Sequence, residues 1–151
     1  SAASDVYKRQ IDKYFETYSE VKTYIDNNVE NAKKDGYVTT LYGRRRVIGE
    51  LKSSNFSVRS FGERAAMNMP LQGTSADIIK IAMVRVYKRL KDEGLNAKLV
   101  LQVHDELVVD CPESEREKVE KILKFEMEHA AELSVPLVAD VGTGKSWYEA
   151  H

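Results

Sequence analysis

The sequence contains very little cysteine, proline and tryptophan. Of its 151 residues, one is cysteine, three are proline and one is tryptophan. The lone Cys111 excludes an intramolecular disulfide and a cysteine-based zinc site, and it favours a reducing, cytoplasmic setting. The chain also lacks an apolar run of membrane-spanning length, and its N-terminus has no signal-peptide pattern. We therefore expect no membrane partner.

The chain also has almost no excess of charge of either sign. Its formal net charge is −1, which provides no overall attraction to nucleic acid. The charges are unevenly distributed, however, since residues 33–64 are mainly basic and residues 113–132 are rich in glutamate. The sequence therefore predicts a basic face and an acidic face on one domain, or on a large part of one.

Apolar spacing predicts four helices. Residues 10–34 form an amphipathic helix that ends near Gly36, and its tyrosine-rich stripe is expected to pack in the core. A second helix, at 59–68, is expected to end or kink near Pro70. The other two have capping patterns, Thr74-Ser75-Ala76-Asp77 before a helix that ends near Gly94 and Ser114 to Glu117 before a helix at 114–132.

Short strands alternate with these helices. Residues 37–41 and 45–48 flank a turn and predict a small hairpin with Arg44, Arg45 and Arg46 at its tip and return strand. A loop over 49–57, a hairpin over 97–111 and a strand over 137–141 complete the pattern. The fold class is α+β, with a short antiparallel sheet packed on the helices at 74–93 and 114–132. The first helix and the small hairpin are expected to form a second lobe.

The most informative segment is the apolar run from Leu99 to Val109, which His104, Asp105 and Glu106 interrupt. Such a run predicts buried strands, and the interruption is long enough only for a tight turn. Two carboxylates at a turn can reach one point in space, where oxygen ligands favour Mg²⁺ or Mn²⁺ over zinc. The alternative is a turn that is simply polar, because turns select such residues.

Two blocks of sequence together resemble family A DNA polymerases, the DNA polymerase I type. The first runs from Arg64 to Asp77 (RAAMNMPLQGTSAD), and the second is Gln102 to Leu107 (QVHDEL). Tyr42-Gly43-Arg44-Arg45-Arg46 upstream and Val135-Pro136-Leu137 with Val141-Gly142-Thr143-Gly144 downstream also look like the C-terminal region of that family. The resemblance covers residues 10–151, and residues 1–9 form an unmatched N-terminal end.

The resemblance implies templated nucleotidyl transfer that depends on two Mg²⁺ ions, with Mn²⁺ as a substitute. The hairpin corresponds to the motif C of the family. Asp105 would then be a catalytic carboxylate that binds metal, and Glu106 a catalytic carboxylate that assists near the primer end. His104 would contact the primer-terminal nucleotide. The implied partners are primer-template DNA and deoxynucleoside triphosphates, and a bacterial parent would be nucleoid-associated.

The first block has a physical reading as a DNA-binding surface. Arg64 and Asn68 lie four residues apart on one helical face, and Gln72 lies just beyond the proline. Their N–H groups could donate to the minor-groove acceptors that every correct base pair offers, so these residues would bind DNA without sequence preference. In the alternative, Arg64 pairs with a surface carboxylate and Gln72 caps the next helix. Arg44 is a further candidate for DNA contact through phosphates.

Parts of the family pattern have no counterpart here. There is no motif A, whose strand supplies the other metal-binding aspartate, and no fingers helix for the incoming nucleotide. We therefore predict a partial polymerase palm over 73–151 with part of the fingers over 10–72, and we expect the isolated chain to be inactive. The alternatives are a metal-dependent phosphodiesterase and a non-catalytic DNA-binding module. The oligomeric state does not follow from the sequence.

Overall fold

A computed structural model describes the backbone of residues 2–150 and the side chains of residues 5–150. Ser1 and His151, the ends of the predicted segments 1–9 and 73–151, lie outside the described residues. The chain divides into two compact units between Thr74 and Ser75, and each unit is described by itself. Among the described residues, no helix has both the length and the apolar character needed to cross a membrane.

The first unit consists of helices around a small hairpin. Its elements are helix α1 (Ala2–Thr17), helix α2 (Ser19–Asp35), strands β1 (Tyr37–Thr39) and β2 (Arg45–Val47), a 3₁₀ turn (Gly49–Lys52) and residues 56–74 of helix α3 (Phe56–Asp92). Strands β1 and β2 pair antiparallel, so the predicted small hairpin is confirmed. The predicted loop over 49–57 is partly wrong, because the 3₁₀ turn occupies its first half and α3 begins at Phe56.

The predicted helix over 10–34 is interrupted and begins earlier than expected. Tyr18 has φ −116° and ψ 58°, which ends α1 and separates it from α2. The predicted end near Gly36 is confirmed, because Gly36 adopts φ 82° and donates its N–H to Ala32 O at 2.8 Å. Glycine accepts this left-handed conformation without a steric penalty, which is why α2 stops there.

The tyrosine stripe does not form the core, so that prediction is wrong. The side chains of Tyr14 and Tyr18 are 51% and 53% exposed, and their rings contact each other with centroids 4.9 Å apart. The core is built instead from aliphatic residues further along the chain: Ala32, Val38, Ile48, Leu51, Ala66 and Met69. Helical spacing identifies an apolar face, but burial also needs an element that covers it.

Helix α3 runs without a break from Phe56 to Asp92 with Pro70 inside it, so a helix end near Pro70 and a new helix start at Thr74 are both wrong, while the predicted alternative of a kink at Pro70 stays a prediction. Proline in a helix interior removes one hydrogen bond and costs about 3 kcal/mol, which is why a break was expected. Thr74, expected to cap a new helix, instead donates from Oγ1 to Pro70 O at 2.5 Å. Buried residues before and after the proline, Met69 and Ile79 among them, hold the helix in place.

The second unit contains residues 75–92 of α3 and the large hairpin. Its other elements are strands β3 (Lys98–Val103) and β4 (Glu106–Asp110), a 3₁₀ turn (Glu113–Glu115), and helices α4 (Arg116–Glu128) and α5 (Trp147–Ala150). The predicted packing of the large hairpin on these helices is confirmed, because Leu107 and Val109 of β4 pack against a core that comes mainly from α3 and α4. That core consists of Val86, Leu90, Ala97, Val119, Ile122 and Leu123.

Two local predictions in this unit are wrong. Residues 137–141 form no strand, although they alternate as a strand would, with Val138 76% exposed and Ala139 8% exposed. A strand needs a hydrogen-bonded neighbour, and the described residues supply none to this segment. Ser114 does not cap α4, since it lies within the 3₁₀ turn that precedes the helix.

The predicted burial of the large hairpin is also only partly correct. Val100 and Leu101 are about half exposed, whereas Leu99 is half-buried. A bulge between Leu99 and Leu101 leaves Val100 as an extra residue, so the alternation of faces shifts by one position. Because the sheet has only two strands within the described residues and packs on one side, its other face stays open.

Candidate active-site hairpin and nucleic-acid interface

The tip of the large hairpin is a two-residue loop that presents a carboxylate to solvent. Val103 pairs with Glu106, so His104 and Asp105 alone connect β3 to β4. His104 has φ 50°, the left-handed conformation that tight hairpin loops require at their first residue and that histidine adopts more readily than most side chains. Asp105 is exposed and, within the described part of the chain, has no hydrogen-bond or ion-pair partner.

Glu106 differs from Asp105 in its environment. It is the first residue of β4 and half-buried, and it takes part in interactions of its own. The two neighbouring carboxylates therefore have different surroundings, one in the loop and one at the beginning of a strand. This supports separate roles for them rather than an equivalent pair.

Sequence reasoning missed the contribution of Gln102 to this loop. Its side-chain Nε2 donates to the backbone carbonyl of His104 at 2.7 Å. This bond fixes the carbonyl that immediately precedes Asp105, so Gln102 helps to hold the loop in one conformation. The signal was present in the sequence, because Gln102 lies two residues before the loop within the quoted block QVHDEL.

Glu115 supports the beginning of the same hairpin and was also missed. Its carboxylate accepts hydrogen bonds from the backbone N–H of Asn96 at 3.1 Å and of Ala97 at 3.0 Å, and from the Asn96 side chain at 3.1 Å. These bonds stabilise the charged carboxylate, so they lower the pKa of Glu115 below its usual value, led by the bond from the Asn96 backbone. The sequence pattern assigned this segment to a helix cap and gave no sign of this longer-range contact.

The described residues do not form a complete metal site. Asp105 offers the oxygen ligand that Mg²⁺ prefers. Among residues 5–150, however, no three histidine, cysteine, aspartate or glutamate side chains are arranged to hold a metal ion. The carboxylate chemistry of Asp105 fits magnesium, but the described residues do not surround it with a set of further ligands.

The predicted DNA-binding residues of the first unit lie on one exposed face of α3. Arg64, Asn68 and Gln72 are all exposed, and because α3 continues through Pro70 they follow one another at four-residue spacing. At 3.6 residues per turn, each lies about 40° further around the helix than the one before it. We call these three residues the α3 polar face.

Neither alternative role of these residues occurs within the described part of the chain. Gln72 does not cap a following helix, because it lies in the interior of α3. The guanidinium of Arg64 donates to Ser60 Oγ at 2.9 Å, one turn earlier, and no ion pair of Arg64 with a carboxylate occurs within the described part of the chain. The α3 polar face is thus open to a partner.

The arginines of the small hairpin make contacts within their own unit. Arg44 Nη2 donates to Gly73 O at 2.9 Å, and Arg45 stacks over the ring of Tyr37 at 4.7 Å. Arg44 and Arg45 are nevertheless exposed, as is Arg46. The hairpin is therefore anchored to α3 beside Gln72.

The predicted site residues are distributed over both units. Arg44 and the α3 polar face belong to the first unit, and His104, Asp105 and Glu106 belong to the second. Within the first unit the structure brings Arg44 to the turn of α3 that carries Gln72, and within the second it places the three hairpin residues next to one another.

The chain thus combines an α+β fold with an exposed carboxylate at a hairpin loop and an exposed polar face on α3. The model of DNA polymerase family A matches residues 3–149, and the chain belongs to this family. The match includes residues 3–9, where the sequence motifs themselves show no resemblance.

Known proteins similar to the chain are bacterial polymerases. The chain is 53% identical to DNA polymerase I of Bacillus subtilis over 140 residues, and 50% identical to DNA polymerase I of Caldicellulosiruptor bescii over 139 residues. These alignments include 93% and 92% of the chain but only 16% of either relative.

A solved structure of the Pol1 POL domain from M. smegmatis, in complex with DNA primer-template and dNTP, has a TM-score of 0.91 and 46% identity to the chain. It matches 95% of the chain, which covers 25% of that structure. The chain thus spans a minor part of the proteins it matches.

Proposed function

We propose that the chain is the C-terminal part of a DNA-directed DNA polymerase that carries out templated nucleotidyl transfer. Membership of DNA polymerase family A supports this proposal, as does the likeness to a domain solved with primer-template and dNTP. Primer-template DNA and deoxynucleoside triphosphates are the proposed partners of the parent protein. Its proposed location is the cytoplasm, with nucleoid association in a bacterium.

The large hairpin is proposed to supply one half of the metal site. Asp105 would bind the metal through its exposed carboxylate, and Glu106 would assist near the primer end from its position at the beginning of β4. His104, whose side chain is exposed, would contact the primer-terminal nucleotide. Two magnesium ions, when bound, activate the attacking hydroxyl oxygen and stabilise the leaving pyrophosphate, and Mn²⁺ is a chemically suitable substitute.

The α3 polar face is proposed to hold the duplex in its minor groove. Purine N3 and pyrimidine O2 are acceptors at equivalent positions in every correct base pair. The guanidinium of Arg64 and the amides of Asn68 and Gln72 can donate to such acceptors whatever the sequence. Arg44 is exposed and positively charged, so we propose that it contacts a phosphate while its guanidinium also binds Gly73 O.

The proposed domain assignment follows from these roles. Residues 10–72 would be the fingers-side helices and small hairpin, and residues 73–151 the palm with its motif C hairpin. The isolated chain is proposed to be inactive, because one carboxylate hairpin cannot organise two ions and the described residues contain no further cluster of ligands.

The observation that carries the proposal is an exposed Asp105 at a two-residue loop in a chain of this family. The test is primer extension by the parent protein with Mg²⁺ and all four deoxynucleotides, comparing wild type with Asp105→Ala. Extension that is lost in the variant supports the proposal. Full extension by a correctly folded variant would remove Asp105 from the metal site.

A further inference from the structure

The turn of α3 that carries Gln72 has an outward side and an inward side. Leu71 and Gln72 are exposed, whereas Pro70 is buried and Gly73 and Thr74 are half-buried. Pro70 cannot donate a backbone hydrogen bond to Ala66 O, so α3 lacks one helical bond in the turn just before Gln72. Contacts from outside the helix can compensate for this missing bond.

The hydroxyl of Thr74 joins this turn to the small hairpin. Thr74 Oγ1 donates to Pro70 O at 2.5 Å and accepts from the backbone N–H of Leu41 at 2.9 Å. One side chain thus binds the carbonyl of Pro70 and the loop of the small hairpin. Hydroxyl bonds to the carbonyl four residues earlier often bend helices, so this bond also influences the local course of α3.

Two further contacts secure the same side of the turn. Arg44 Nη2 donates to Gly73 O at 2.9 Å. A Cβ atom at Gly73 would lie 2.6 Å from Cγ2 of Thr40, so only glycine permits the hairpin to approach this closely. Thr40 is itself buried, which shows that the contact is tightly packed.

We propose that Thr74 is a positioning residue for DNA binding: it ties the Pro70–Thr74 turn to the small hairpin and so holds Gln72 in the orientation that grips the duplex. This inference rests on the proposed role of Gln72. Thr74 itself makes no contact with DNA in this account. The hairpin acts as a brace on the inward side of the helix, opposite the surface that meets the DNA.

The test is a set of substitutions in the parent polymerase, with primer-template affinity measured by fluorescence anisotropy. Thr74→Val keeps the branched shape and removes the hydroxyl together with both of its hydrogen bonds, and it is expected to weaken primer-template binding about threefold to tenfold. Thr74→Ser keeps the hydroxyl and is expected to restore affinity to within about twofold of wild type.

A matched control comes from α2. Thr23 Oγ1 likewise donates to the carbonyl four residues earlier, Ser19 O at 3.1 Å, but within the described part of the chain its hydroxyl makes no bond to the small hairpin. Thr23→Val therefore removes the same kind of bond without touching the brace, and it is expected to leave affinity unchanged. Equal losses from Thr74→Val and Thr23→Val would overturn the proposal.

A double substitution separates positioning from a general loss of structure. If Thr74 acts through Gln72, Thr74→Val weakens binding in wild type but adds little in a Gln72→Ala background. Full additivity would contradict the proposal. Wild type that fails to bind primer-template would overturn the proposed function itself, whereas binding that depends on Gln72 but not on Thr74 would overturn only this inference.

Discussion

Glu115 Oε2 accepts a 3.0 Å hydrogen bond from the backbone N–H of Ala97, which joins the turn before α4 to the beginning of β3. Glu115 Oε1 accepts a hydrogen bond from the backbone N–H of Asn96 in the same way, so one carboxylate holds two successive backbone donors at the base of the large hairpin. The far end of that hairpin carries Asp105. The arrangement anchors the hairpin at its base and leaves its tip open.

Because the charged carboxylate of Glu115 anchors the hairpin, we predict that the stability of the folded protein depends on pH. The folded state lowers the pKa of Glu115 below the usual 4.5, so its contribution to stability is present above that value and is lost as the pH falls through the folded pKa. Glu115→Gln cannot titrate, and its stability is expected to fall less on acidification. Urea midpoints of both proteins from pH 7 down to about pH 3 measure this.

The outcome that contradicts the anchor is a pair of parallel pH profiles, in which wild type and Glu115→Gln lose stability equally. Glu117→Gln is a matched control. This glutamate is exposed in the first turn of α4, and within the described part of the chain it makes no hydrogen bond to the backbone of another element. It is expected to leave the acid dependence of wild type unchanged.

The approach of Thr40 to Gly73 predicts a steric effect on stability. Gly73→Ala would place a methyl group 2.6 Å from Thr40 Cγ2, and overpacking of this kind costs about 1–3 kcal/mol of unfolding free energy. Gly49→Ala is the control, because no atom lies within 4 Å of a Cβ built there. Chemical denaturation that shows equal stability for both variants would contradict the close packing of the hairpin on α3.

The α3 polar face predicts different responses to salt. Arg64→Ala is expected to weaken primer-template binding and to lower the slope of log K against log salt by about one, because a positive charge is removed near the phosphates. Gln72→Ala is expected to weaken binding about threefold to tenfold with an unchanged slope, since its amide is neutral. Binding titrations from about 50 to 200 mM salt distinguish the two.

A charge control for this experiment is Lys88→Ala, at an exposed position in the last part of α3. Removal of that charge is expected to change neither affinity nor slope by a comparable amount. If Arg64→Ala behaves like Lys88→Ala, the α3 polar face is not a DNA-binding surface and Arg64 serves only as a partner of Ser60.

Local chemistry predicted the elements around the candidate site well. The interruption of an apolar run at His104 and Asp105 correctly predicted a tight hairpin, because few residues other than turn formers fit between two paired strands. The apolar face of α4 was also predicted correctly, with Val119, Ile122 and Leu123 all buried. The two strands of the hairpin adjoin each other in the sequence, and α4 is the next α-helix after the strand whose Leu107 and Val109 pack against its buried face.

The errors arose where distant contacts override local preference. Pro70 and Thr74 predicted an end or a kink of one helix and the start of another, yet the small hairpin binds the turn between them and the helix does not end there. Residues 137–141 have the alternation of a strand but no partner strand among the described residues. A sequence pattern indicates which secondary structures a segment can form, and the elements that pack against the segment determine which of them it adopts.

The proposed catalytic role of the large hairpin predicts a large loss of activity when its carboxylates are substituted. In the parent polymerase, Asp105→Ala is expected to lower the rate of primer extension by at least about 10³-fold, since a bound metal contributes several kcal/mol to the transition state. Glu106→Gln is expected to cause a smaller loss. Single-turnover extension rates with saturating DNA measure both, and equal losses would contradict the separate roles assigned to the two carboxylates.

The most direct test of the central claim is primer extension with Mg²⁺ and four deoxynucleotides, comparing the chain alone with the same chain joined to the upstream segment of its parent. We predict that only the joined form extends the primer, and that Asp105→Ala abolishes this extension. Templated extension by the chain alone would contradict the claim that it supplies half of a two-part metal site. A correctly folded joined form that binds DNA but never extends a primer would contradict the polymerase assignment.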